Sequence, residues 1–118
     1  MIERSHAPRL ADILEAIERI RRVLGDTPLE TFETDWERQW LVERGVEIVS
    51  EASRHLPADL KARHPDIPWQ KVAGIGNVLR HNYENIAAPV MWKLAHDDLD
   101  ALEAVCREEF DAIKGQQS

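Results

Sequence analysis

The densest set of reactive side chains in the sequence is Asn77-Val78-Leu79-Arg80-His81-Asn82-Tyr83. On a helix, at about 100° per residue, Asn77 and His81 share nearly one face, a turn apart, with Arg80 between that line and Gly76. Such a helix end offers an amide, a fixed cation, a group that exchanges protons near neutrality and a phenol. A histidine in this setting can take a proton from a ribose 2′-hydroxyl or return one to a leaving oxygen. An arginine can hold a phosphate bidentately and stabilise the charge that builds on it in the transition state. The residue types favour a polar, phosphate-handling site; the plainer alternative is a surface pair at a capped helix end. Elsewhere the chemistry is sparse. His6, His55, His64 and His96 lack the two-histidine spacing of a helical metal site, so no metal is expected. Cys106 lies among Leu102, Val105 and Phe110, which suits a buried thiol better than a nucleophile. Gly74-Ile75-Gly76 lacks the rest of a dinucleotide fingerprint, and no cofactor is implied.

The elements that must present Asn77 to Tyr83 are helical. Leu10, Ile13, Leu14, Ile17, Ile20, Val23 and Leu24 recur at three- and four-residue steps, with Ser5 as N-cap, Pro8 in the first turn and Gly25 at the end. A second helix is expected from about Asp35 to His55, with Trp36, Trp40, Val42, Val46, Val49, Ala52 and Leu56 as its apolar positions. Gly45 inside it weakens the helix by roughly 1 kcal/mol relative to alanine, which points to a close approach of another helix. Pro57 opens a short helix through Arg63, and Pro68 starts a third main helix from about Trp69 to Tyr83. After a break near Asn85–Pro89 the helical pattern runs from Val90 to Ile113, with a bend near His96–Asp98. No strand alternation with hairpin turns is present. The expected architecture is a single all-α domain over residues 1–118, an antiparallel bundle of four main helices plus short ones.

A chain of 118 residues with 43% hydrophobic and 31% charged residues can bury one core and is not disordered in bulk. Its longest uncharged stretch, Asn85 to Trp92, is far short of a membrane span, and one cysteine excludes an internal disulfide framework. No secretion signal opens the sequence, so a cytoplasmic protein is expected. The net charge of −7 disfavours broad nucleic-acid binding. That charge is uneven, however. Arg54 to His81 holds five basic residues against two acidic, whereas Glu84 to Ile113 holds two basic against eight acidic. The first segment suits a small cationic site of shallow salt dependence, and the second suits a basic protein partner.

From Trp36 to Phe110 the order of motifs resembles the HepT-like family of the HEPN superfamily. The matching pieces are Arg44-Gly45-Val46-Glu47-Ile48-Val49-Ser50-Glu51-Ala52, Pro65-Asp66-Ile67-Pro68-Trp69, Asn77 through Tyr83, Val90-Met91-Trp92 and Asp98-Leu99-Asp100-Ala101-Leu102. The resemblance implies a HEPN-type helical bundle acting as a metal-independent endoribonuclease on RNA. It further implies a homodimer with a shared cleft, and a toxin–antitoxin pair with a minimal nucleotidyltransferase as antitoxin. The family motif Arg-Asn-x-x-x-His-x-Tyr places its Asn, His and Tyr at Asn77, His81 and Tyr83, and implies AMP transfer to the Tyr83 oxygen as the silencing step. The motif arginine falls on Gly76. Arg80, one turn on and roughly 40° round the axis, can reach back over the glycine and take the phosphate contact. The alternative is a degenerate subunit that binds the nucleotidyltransferase without cutting RNA. Glu51 falls where the resemblance implies an acidic contact from the second helix, with an exposed helix glutamate as the alternative. Trp36, Trp40, Trp69 and Trp92 read as core or dimer-face anchors before base-stacking platforms.

Overall fold

A computed structural model describes the backbone of residues 6–81 and 87–117 and, within them, the side chains of residues 6–77 and 88–115. Among the described residues there are seven α-helices, one π-helical turn and no strand. Helix α1, Ala7–Leu24, carries Pro8 in its first turn and buries Leu10, Ile13, Leu14, Ala16, Ile17, Ile20 and Leu24. Its last turn ends on Gly25 at φ +50°, a conformation open to glycine, whose N–H bonds the Arg21 carbonyl at 2.8 Å. The expected N-cap Ser5 lies outside the described residues.

Helix α2, Leu29–Phe32, is a single turn that the sequence reading passes over. It exists because Phe32 is fully buried and the Gln39 amide donates to the Phe32 and Glu33 carbonyls at 2.7 and 3.0 Å. Asp35 caps α3, Trp36–Arg54, by accepting the Arg38 N–H at 3.1 Å. Val42, Val46, Val49 and Ala52 line its core face. Gly45 faces Ile20 of α1 so closely that a Cβ there would stand 2.5 Å from Ile20 Cγ1, which bears out the expected close approach. Trp36 and Trp40, expected on the apolar stripe, instead point outward.

Helix α4, Ala58–Arg63, follows Pro57 and buries Leu60. Ile67 anchors the loop to α5, Trp69–His81, whose first residue donates its indole N–H toward the Lys61 and His64 carbonyls at 3.1 and 3.0 Å. Residues 82–86, which include Asn82, Tyr83 and the start of the expected break, lie outside the described residues. Helix α6, Ala87–Lys93, begins earlier than expected and takes Pro89 into its first turn, where the missing N–H would have no helical acceptor. The expected bend at His96–Asp98 is a π-helical turn, Leu94–Asp98, leading straight into α7, Leu99–Gln117.

Helix α1 packs between α3 and α7, and α3 packs between α1 and α5, so one core joins them. Arg21 of α1 pairs with Asp100 and Glu103 of α7, and the Trp92 indole N–H donates to the Thr27 carbonyl at 3.1 Å. No helix of the described residues is long and apolar enough to cross a membrane.

Candidate functional site

The polar constellation falls on the C-terminal half of α5. Asn77 is exposed there, and Arg80 and His81 occupy the last turn of the same helix. The side chains of Arg80 and His81, and the whole of Tyr83, lie outside the described residues. What the structure does describe is how this helix is held. Gly76 is buried against α3, and a Cβ on it would meet Ser50 Oγ at 3.2 Å and Ser50 Cβ at 3.5 Å. The Ser50 hydroxyl donates to the Ala73 carbonyl at 2.6 Å, and Ser53 Oγ donates to the Ser50 carbonyl at 2.7 Å. The motif-arginine position is therefore turned toward α3 and closely filled by a serine. Ser50 itself was passed over in the sequence because a small hydroxyl on a helix carries no catalytic signature.

Helix α5 also borders a groove lined by Lys71, Gly74 and Ile75 and by Val90, Lys93, Leu94 and Asp98. Its lining joins the apolar Ile75, Val90 and Leu94 to two lysines and an aspartate. A Cβ on Gly74 would meet nothing within 4 Å.

Glu51 stands on the exposed side of α3, and its described partners are on its own helix. It accepts from Arg54 at 2.8 Å and lies 3.1 Å from His55 Nε2. The His55 contact, then the Arg54 charge, hold its carboxyl below the ordinary glutamate range. These bonds do not bring Glu51 to Asn77.

Ion pairing also qualifies the cationic segment. Arg54 is matched by Glu51, while Arg63 reaches across to α7, donating to Glu109 at 2.7 and 3.2 Å. His64 Nε2 lies 2.6 Å from the second Glu109 oxygen. The Arg63 hydrogen bond, against the opposing effect of burial and with His64 contributing, holds the buried Glu109 carboxyl below its ordinary range. Part of the positive charge read between Arg54 and His81 thus fastens α4 to the acidic α7. Cys106, fully buried one turn before Glu109, has its thiol pushed up to about 12, by burial first and the Glu109 charge second. It is a core residue, as its apolar neighbours suggested, and inert as a nucleophile at neutral pH.

The tryptophans divide into two pairs. Trp69 and Trp92 are half-buried with their indole N–H groups bonded to carbonyls. Trp36 and Trp40 are 60% and 69% exposed, meet edge to face at 5.3 Å, and share their surface with Leu41, 58% exposed. His96 stacks on Trp92, with ring centroids 4.1 Å apart.

The all-α fold is of the kind that the HEPN class of helical proteins adopts. The profile described as ribonuclease HepT-like matches residues 13–109, and the chain belongs to that family. It is 38% identical over 102 residues to a probable ribonuclease HepT of Thermococcus cleftensis, a match covering 86% of this chain and 93% of that one. It is 30% identical over 94 residues to a putative RNase of Methanocaldococcus jannaschii, covering 80% and 86% of the two chains. Against a putative RNase of Caldanaerobacter subterraneus the identity is 30% over 102 residues, covering 86% and 90%. No solved structure gives a significant match.

Proposed function

We propose that this protein is a metal-independent endoribonuclease whose active surface is the C-terminal end of α5. The observation that carries this reading is the family match over residues 13–109, which spans Asn77, His81 and Tyr83 in the spacing of the family motif. A ribose 2′-oxygen attacks the adjacent phosphorus as His81 takes its proton. The phosphorus–5′-oxygen bond breaks, and the leaving oxygen receives a proton from the protonated histidine or from water. Arg80 holds the phosphate and offsets its developing charge, while Asn77 and Tyr83 position the substrate. Metal independence rests on the family resemblance and on the lack of metal-ligand spacing in the sequence.

The cellular role that fits is the toxin of a toxin–antitoxin pair, acting on cytoplasmic RNA as a homodimer. A minimal nucleotidyltransferase is its antitoxin, transferring AMP to the Tyr83 oxygen with pyrophosphate leaving from ATP. The exposed Trp36–Trp40–Leu41 surface is the face that the dimer covers. Three such side chains offer roughly 400 Å² of apolar area, about what the apolar half of a standard 800 Å² interface side needs. The acidic stretch after Glu84 suits a basic partner protein.

A second reading is favoured by one observation: the motif-arginine position is glycine, packed against Ser50. In that reading the chain binds the nucleotidyltransferase without cutting RNA. The two readings separate on Arg80→Ala and on expression of the chain alone. A ribonuclease that uses Arg80 arrests growth when expressed without a partner and loses cleavage on Arg80→Ala. A binding subunit does neither, and an active enzyme indifferent to Arg80→Ala has its phosphate contact elsewhere.

A further inference from the structure

Ser50 is fully buried on α3, a helix that also buries Val46, Val49 and Ala52. A hydroxyl in such surroundings is destabilising unless it is bonded, so it admits few arrangements of the two helices. Here it donates to the Ala73 carbonyl at 2.6 Å. In the helical ladder of α5 that same carbonyl is the acceptor for the Asn77 N–H, four residues on. Gly76 supplies the room, since even a methyl there would come within 3.2 Å of the hydroxyl oxygen. Ser53 secures the other side by donating to the Ser50 carbonyl at 2.7 Å. Sliding α5 by one residue would move the acceptor by about 1.5 Å along and 100° round the axis, and would leave the hydroxyl unbonded.

We infer that Ser50 is a positioning residue for the proposed cleavage reaction. Its hydroxyl fixes the register of α5 on α3 through Ala73, and so fixes where Asn77 and His81 stand. Gly76 is the partner of this contact, which accounts for a glycine where the family motif has arginine. The inference rests on the ribonuclease reading for its consequence, though not for its geometry.

The test uses the full chain with Ser50→Ala, Gly76→Ala and the double variant, each read three ways. Exchange of the Asn77 amide, followed by NMR without RNA, should quicken about tenfold in Ser50→Ala, and by more than that of the core residue Ile17 in α1. In RNA cleavage kcat should fall by about tenfold, with KM held within about twofold. In thermal unfolding the two substitutions should be less than additive, because Ser50→Ala removes the atom nearest the new methyl. Unchanged Asn77 exchange, or full additivity, overturns the register contact. Altered exchange with unchanged kcat overturns the positioning role. If the native chain cleaves no RNA, the ribonuclease reading falls, and the positioning role with it. The exchange and unfolding data would still decide the contact.

Discussion

Replacing Gly45 by alanine measures how closely α1 and α3 approach one another. A helical glycine exchanged for alanine gains about 1 kcal/mol of intrinsic propensity when the site is open. At Gly45 the new methyl would lie 2.5 Å from Ile20 Cγ1 and 3.0 Å from Ile20 Cδ1, far inside contact distance. Ile20 is 1% exposed and held among core neighbours, and its Cγ1 is the stem of a branched side chain rather than a free end. Overpacking of this kind costs about 2–3 kcal/mol, the upper part of the usual range, so Gly45→Ala should be net destabilising by about 1–2 kcal/mol. Gly74→Ala is the matched control, since a methyl there meets nothing within 4 Å. It should stabilise by about 0.5–1 kcal/mol. Urea unfolding followed by far-UV circular dichroism reads both, and the urea dependence should keep its slope. Ile20→Ala should also cost less in the Gly45→Ala background than in the native chain, by about 1 kcal/mol or more. Gly45→Ala as stable as the native protein, or more so, would refute the close approach.

Glu109 makes stability depend on acid. Its folded carboxyl is held below the ordinary range by Arg63 and His64, so its contribution is present above the unfolded value of about 4.3 and lost as pH falls through the folded value. Glu109→Gln should lose about 2 kcal/mol at neutral pH and flatten the acid limb of urea midpoints below about pH 5.5. Parallel native and variant curves would contradict the ion cluster. Changing Trp36 and Trp40 together to serine should turn a dimer into a monomer by light scattering, with the helical circular dichroism signal kept and the concentration dependence of unfolding lost. A native chain that is already monomeric at tens of micromolar, or a variant that still dimerises, contradicts that face as the contact.

Sequence reached furthest where one physical signal dominates. The stripe from Leu10 to Leu24 fixes α1, and Gly25 ends it at φ +50° because few other residues tolerate that conformation. Gly45 was readable because a glycine inside a helix weakens it and so implies a packing reason. The π-helical turn at Leu94–Asp98 showed itself as a polar interruption, His96-Asp97-Asp98, between Ala95 and Leu99. As core residues Trp36 and Trp40 were misplaced, because they were counted as apolar without regard to phase. Trp40 lies about 200° round the helix from Val42, so the two cannot share a core face. Helix α2 has one buried apolar residue, Phe32, and depends on Gln39 from the next helix, which no local pattern encodes. The Glu109 cluster joins residues 45 and 46 positions apart, and only the fold reveals it. The placement of Asn77, Arg80 and His81 on one helix end was legible from type and spacing. The orientation of Gly76 toward Ser50 was not, because it depends on how α5 is rolled against α3.

Single-turnover cleavage of RNA by the purified chain in excess chelator, native against His81→Ala, tests the ribonuclease reading most directly. If His81 is the proton-transfer group of a metal-independent site, the native chain cleaves under these conditions and His81→Ala is slower by about 100-fold or more. Cleavage by His81→Ala at the native rate, or native cleavage that the chelator abolishes, would contradict it.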